Sequence, residues 1–233
     1  SLGLTGGFGT STTPNTIANT GLTLKEQPTV SYQPLQGEEF AQRLLSPIDI
    51  QTIVLLANSG WSVERIFRLT VQRMNGLPNA PTAAGPTPRR SPRYIAFQQV
   101  TEALRSLQEQ DQLRLFIDGR DSQAYLLVAA EGRDTESFKS LVRLLNLDPE
   151  NQRYRLMLGQ TAKPGQSISL RLRSLMGVMS FMSQAVSVPE DDRLAGLVTT
   201  TTNDDGVEFD WSNVVGSLIS ISSKPESPAA SAV

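Results

Sequence analysis

The chain has no cysteine and no histidine among its 233 residues. That removes thiol nucleophiles, disulfides, the usual structural zinc sites and imidazole acid/base chemistry from its own repertoire. A Ser-His-Asp triad is excluded with them. Lysine is scarce too: of 21 basic residues four are Lys and 17 are Arg, so the cationic groups are nearly all fixed, fork-shaped donors. No apolar run approaches the roughly 18 to 20 residues that a bilayer span needs. The strongest is Ile53-Val54-Leu55-Leu56-Ala57. Net charge is −2, which argues against the broad positive field of non-specific nucleic-acid binders and leaves a local basic patch open.

Hydrophobic residues make up 39% and charged residues 19% of the chain, and the polar excess lies at the two ends. Residues 1–22, rich in Gly, Thr, Ser and Asn, have neither helical nor strand period and read as a flexible tether. A chain opening on such a linker is expected to be a processed product. Residues 23–76 read as an extended arm followed by a helical part. Pro28 and Pro34 keep the arm out of a sheet interior. Residues 77–92 hold five prolines and are expected to be a linker dividing the helical part from an α+β domain at 93–222. Residues 223–233 read as a disordered tail.

Within the helical part, periodicity predicts helices over 38–45 and 47–58, with Pro47 in the first turn of the second. A third helix starts at Ser62, a good N-cap. Val63, Ile66, Phe67, Thr70, Val71 and Met74 fall on one face of it, Arg65, Arg68, Gln72 and Arg73 fall on the other, and Asn75-Gly76 ends it.

Beyond the linker, Tyr94, Phe97, Val100, Leu104 and Leu107 recur at helical spacing. The pattern then turns to alternation over Leu113–Asp118, with Gly119-Arg120-Asp121 leading into a second strand at 123–130. A helix capped by Asp134 or Thr135 follows and stops before Asp148-Pro149. The same order recurs as strands at 153–158 and 167–172 and a helix from Ser174 to about Val186. The fold class expected is α+β, a helical N-terminal part followed by an antiparallel sheet with two strand-strand-helix units. A last hairpin is expected at 208–211 and 214–222, preceded by Asp205-Gly206.

Four chemistries are weighed on these residues. The acidic run from Asn203 to Asp210 fails as an EF-hand calcium loop: with Gly206 at the sixth place, Thr201 falls first and Ser212 twelfth, and neither is a carboxylate. The N-terminal glycines lack the strand and helix that a phosphate-cradling loop requires. Paired carboxylates for a metal-free hydrolase are available at Asp118 with Asp121 and at Asp191 with Asp192, in turns or loops where solvated acids are the ordinary reading. Arg65, Arg68 and Arg73 with Arg89, Arg90 and Arg93 could make a polyanion-binding patch, or keep an outer helix face wet. No cofactor is implied. The stretch Ser174–Val186 is apolar nearly all round and carries Met176, Met179 and Met182; it is either a core helix or one whose second face meets a partner.

Three sets of segments carry a resemblance: Leu55-Leu56-Ala57-Asn58-Ser59-Gly60-Trp61-Ser62 with Leu69-Thr70-Val71-Gln72-Arg73-Met74-Asn75-Gly76-Leu77; Arg173-Ser174-Leu175-Met176-Gly177-Val178-Met179; and Phe209-Asp210-Trp211-Ser212. They resemble a family of bacterial envelope, lipoprotein-like proteins of unknown function, whose members extend beyond the position of Val233. The resemblance marks no active site. It implies an envelope location, periplasmic or outer-membrane-associated, with peripheral or lipid-anchored attachment, although the N-terminal Cys that lipidation requires is absent. The function expected is that of a non-enzymatic interaction or assembly subunit with a protein partner or a second copy of itself. Trp61, Arg65, Arg68, Met176, Met179 and Met182 are the candidate interface.

Overall fold

The computed structural model describes residues 37–80, 93–159, 164–198, 201–202, 205–216, 218–219 and 221–222. The tether, the arm up to Leu35, most of the proline-rich segment and the tail lie outside the described residues. The class is α+β, with a helical N-terminal part as expected and a six-stranded mixed sheet.

Helix α1 (Glu38–Leu45) is followed by α2 (Ile50–Asn58) and α3 (Val63–Thr70). The second helix starts three residues later than its proline suggests. Asp49 is its N-cap, accepting from Gln51 N at 3.2 Å, while Pro47 bridges to Ser174. Ser62 caps α3, accepting from Arg65 N, as expected.

Helix α3 does not run on to Met74. Its last carbonyls are taken from outside: Arg173 Nη1 donates to the carbonyls of Arg68 and Leu69 at 2.8 Å each, and Asn79 Nδ2 donates to those of Arg68 and Val71. Satisfying the terminal carbonyls this way ends the helix and frees the chain to extend. Strand β1 (Val71–Met74) follows at once and turns through Asn75-Gly76, both at positive φ, into β2 (Leu77–Pro78). Two positive-φ residues are what a two-residue type I′ hairpin requires.

The reason β1 reads as helix is a β-bulge. Against its partner β6 (Ser167–Leu172), Val71 pairs with Leu172 and Arg73 with Arg171, so one residue of β1 is extra. The insertion lets Val71 and Met74 both face the core at a spacing of three, which imitates a helical stripe.

Helix α4 (Ile95–Glu109), β3 (Leu113–Ile117), β4 (Ala124–Val128), α5 (Glu136–Leu145) and β5 (Arg153–Leu158) come next. Thr135, the second of the two proposed caps, accepts from Phe138 N at 3.2 Å, and Asn146 closes α5 in the left-handed region. Strand order is β2-β1-β6-β5-β4-β3. Neighbours are antiparallel except for β5 and β6, which are parallel where a hairpin was expected.

The parallel pairing follows from how the return segment is anchored. Gly165 forms a parallel bridge with Leu147; its N–H donates to the Asn146 carbonyl, and its own carbonyl accepts from Asp148 N. The chain therefore re-enters the sheet at the end where β5 began. Eight residues separate the two strands. Fully extended they reach about 26 Å, enough to span a six-residue strand of about 20 Å without a helical crossover.

One hydrophobic core joins α2, α3, α4 and α5 to a single face of the sheet, from Ile53, Phe67 and Met74 through Phe97 and Leu104 to Leu126, Leu141, Tyr154 and Ile168. It crosses the proposed 77–92 boundary: β1, from before the proline-rich segment, lies in the sheet beside β6 from after it. The helical part and the α+β part share one core, and the proline-rich segment does not separate two.

Helix α6 (Leu175–Met182) is capped by Ser174, which accepts from Gly177 N at 3.1 Å, and ends in a 3-10 turn before β7 (Val186–Ser187). Two short helices, α7 (Glu190–Leu194) and α8 (Ser212–Val215), precede β8 (Ile221–Ser222), which pairs in parallel with β7. The hairpin expected at 208–222 is thus replaced by a helical turn and a distant strand pairing. Asp210, one residue before the N-cap Trp211, accepts from Ser212 N at 2.8 Å, and Val214 and Val215 enter a second small core with Ala80 and Phe181.

Candidate functional site

Two surfaces collect the exposed side chains that could meet a ligand or partner. The first is the pair of helices α1 and α6, which pack together. On α6, Val178 and Phe181 are buried, whereas Leu175, Met176 and Met179 are 48%, 37% and 51% exposed. A helix apolar on every side thus buries one face and leaves the other open. Its neighbour α1 buries no residue and exposes Phe40 and Leu45. Met182 is half-buried beside the turn that follows.

Trp61 and Arg65 stand elsewhere on the sequence map of the fold, at the corner between α2 and α3. Trp61 is 55% exposed, and its carbonyl accepts from Gln108 Nε2 at 3.0 Å. Arg65 is exposed.

Arg68 is not on the outer face. It is buried, donating to Glu64 at 2.9 Å and to the Val214 carbonyl, and so belongs to the interior. The helical period holds over Val63–Thr70, but α3 is packed on two sides, by the main core and by the C-terminal segment. Buried Glu64 also receives Arg105 from α4 at 3.2 Å, making a three-residue network. Arg173, missed as a site by sequence reasoning, is buried as well. Besides its two α3 carbonyls it donates to the Ala80 carbonyl and lies 4.1 Å over the Phe181 ring. Burial pushes its guanidinium down to about 9, and the carbonyl acceptors and the ring are what hold a charge there.

The proposed polyanion patch is not assembled as drawn. Arg68 is interior, Arg89 and Arg90 lie outside the described residues, and Arg73 sits on β1 facing away from the helices.

The second surface is the sheet face opposite the core. Cross-strand register places Arg114, Leu127 and Arg153 in one row, Phe116, Tyr125 and Arg155 in the next, and Arg73 opposite Arg171 at the far side. All five arginines are exposed. Tyr125, on the middle strand of three, has Phe116 stacked at 5.7 Å on one side and the Arg153 guanidinium 5.0 Å from its ring centre on the other.

The carboxylate pairs offered for hydrolysis are engaged in turns. Asp118 accepts from Arg120 N and pairs with Arg153 at 3.4 Å; Asp121 accepts from Gln123 N and from the Tyr125 hydroxyl at 2.7 Å. The Tyr125 hydrogen bond, seconded by Gln123 N–H, lowers the Asp121 pKa from its ordinary value, the opposite of what a general acid needs. Asp191 and Asp192 are exposed on α7. Thr201, first in the rejected calcium register, is buried and accepts from Trp211 Nε1 at 3.2 Å. Among the described residues no group of three His, Cys, Asp or Glu could hold a metal ion, and no helix is long and apolar enough to cross a membrane. No family model matches the chain, nor does any curated protein or solved structure.

Proposed function

We propose that the chain is a non-enzymatic assembly subunit of the bacterial cell envelope, meeting a protein partner or a second copy of itself through the outer face of α6 and the apolar side of α1. One observation carries the reading: Leu175, Met176 and Met179 stay exposed on a helix whose opposite face is part of a core, beside a helix whose own Phe40 and Leu45 are exposed. Exposed apolar side chains on two packed helices mark contact sites, and unbranched methionines adapt to a partner's shape. The envelope location comes from the sequence resemblance.

The test is the mass of the native particle by light scattering, with crosslinking on protein from its own cells. Met176→Gln combined with Met179→Gln is expected to dissociate an oligomer or abolish the crosslinked partner while circular dichroism stays unchanged. A wild-type chain that remains monomeric at high concentration and yields no crosslinked neighbour would sink the proposal.

A further inference from the structure

The sheet face opposite the core, exposed at its two ends with Ser167 and Ser169 buried between them, points to a second activity. We infer that it binds a linear phosphate polymer through Arg73 and Arg171, with Arg155, Arg153 and Arg114 as a second cluster beyond the buried serines.

Three observations converge. First, the β-bulge puts Arg73 directly opposite Arg171 on the same face. Like charges facing each other across an antiparallel ladder repel, so the pair lowers the stability of the free protein and is relieved by an anion. Without the bulge Arg73 would point into the core. Bulges are over-represented near sheet edges, where β1 lies, and next to active sites, where they re-aim a side chain.

Second, charge on this face is unbalanced: two carboxylates, Asp118 paired with Arg153 and Asp121 held by the Tyr125 hydroxyl within the field of Arg155, stand against five arginines. Among the described residues Arg73, Arg114, Arg155 and Arg171 make no ion pair. Five guanidiniums gather on one face of a chain whose net charge is −2.

Third, a cleft lies beside the arginine pair, lined by Asn75, Asn146, Gly159 and Ser169 as well as by Arg73 and Arg171. The Leu145 carbonyl at the end of α5, which would repel an anion there, is covered by Asn75 Nδ2 at 2.7 Å.

The chemistry selects phosphate. Guanidinium forks grip phosphate oxygens in pairs, and Arg153 and Arg155, two residues apart on one strand, are spaced about 7 Å along it. An acidic peptide recognised by a sheet ordinarily adds to an edge, whereas this site offers a face. Base stacking is not on offer at Tyr125, because Phe116 and Arg153 already occupy its two sides. The phosphates, not the bases, are what the face recognises.

The experiment is fluorescence anisotropy of labelled oligothymidylate with the full chain, with linear polyphosphate and poly-glutamate as competitors. Binding is expected at about 50 mM salt and should weaken by an order of magnitude or more toward about 200 mM. Polyphosphate should displace the oligonucleotide and poly-glutamate should not. Arg73→Gln with Arg171→Gln should weaken binding at least tenfold without lowering the melting temperature, since it removes a repulsion. Arg43→Gln on α1 should change nothing. The inference is overturned by no binding at low salt, by unchanged affinity in the double variant, by equal competition from poly-glutamate, or by oligothymidylate binding that polyphosphate cannot displace. None of these outcomes bears on the α1–α6 contact face, because Met176→Gln leaves the sheet untouched.

Discussion

Arg68 donates to the backbone carbonyl of Val214, 146 residues further along the chain, while its other amino group closes on Glu64 one helical turn away at 2.9 Å. The buried ion pair on α3 is therefore also the point at which the C-terminal segment is fastened to the main core. Removing Arg68 leaves buried Glu64 with Arg105 as its partner and takes the Arg68 donor from the Val214 carbonyl. Arg68→Leu is expected to destabilise the fold by about 2 to 4 kcal/mol in a urea titration. Trp211, close to Val214, should report the release as a red shift in its fluorescence, and Trp61→Phe removes the competing signal.

Tyr154 gives the fold an alkaline limit. Its ring is fully buried and its hydroxyl donates to the Asp148 carbonyl at 2.7 Å. Desolvation raises the phenol from 10.0 to about 12. The unfolded phenol releases its proton near 10 while the folded one keeps it to about 12, so stability is full below pH 10 and is lost as pH rises through 12. The fall is about 2 to 3 kcal/mol. Tyr154→Phe should cost about 1 kcal/mol at neutral pH and flatten the alkaline decline. Denaturant midpoints between pH 8 and 12 check this.

The two faces of α6 should answer differently to truncation. Phe181→Ala empties a buried position beside Arg173 and is expected to cost about 3 to 5 kcal/mol. Met179→Gln, on the exposed side, should stay within about 0.5 kcal/mol of the parent. Equal losses in urea melts would mean that the outer face is packed in the monomer.

Deleting Gln72 tests the bulge. Removing the extra residue reverses the facing of part of β1, turning Arg73 toward the core or Met74 away from it, and the deletion should abolish cooperative unfolding. Gln72→Ala keeps the residue count and the carbonyl that accepts from Asn79 N, and it should cost less than about 1 kcal/mol. Paired thermal melts of the two variants decide it.

Much of the fold was legible where a single period holds. Leu113 to Ile117 alternate cleanly and form a strand, and Thr135 and Ser174 cap helices that begin where their patterns begin. Legibility failed where two rules overlap. Val71 and Met74 carry a spacing that helix and bulged strand share, and only the external capping by Arg173 and Asn79 selects the strand. The direction of β6 was hidden because pairing sense depends on where Gly165 is anchored, a contact with Leu147 that no local pattern encodes. Of the candidate interface, Met176 and Met179 are exposed on a stretch whose sequence left open which face is covered, whereas Arg68 is buried. The sequence period of α3 shows which residues share a face, not how many sides are covered. Arg73 and Arg171 went unpaired for a related reason: about a hundred residues separate them, and the bulge that aligns them is a property of both strands.

That separation governs how the protein must be made. Strands β3, β4 and β5 succeed one another and can pair as they appear, but β1 waits for β6, about a hundred residues later. At about 5 to 20 residues per second of synthesis, the interval is roughly 5 to 20 s. Through that time the core-facing Val71 and Met74 have only the two-residue β2 beside their strand. Strand β1, early in the chain, is thus among the last elements to be secured, and a ribosome that stalls before Leu172 leaves behind an adhesive half-sheet.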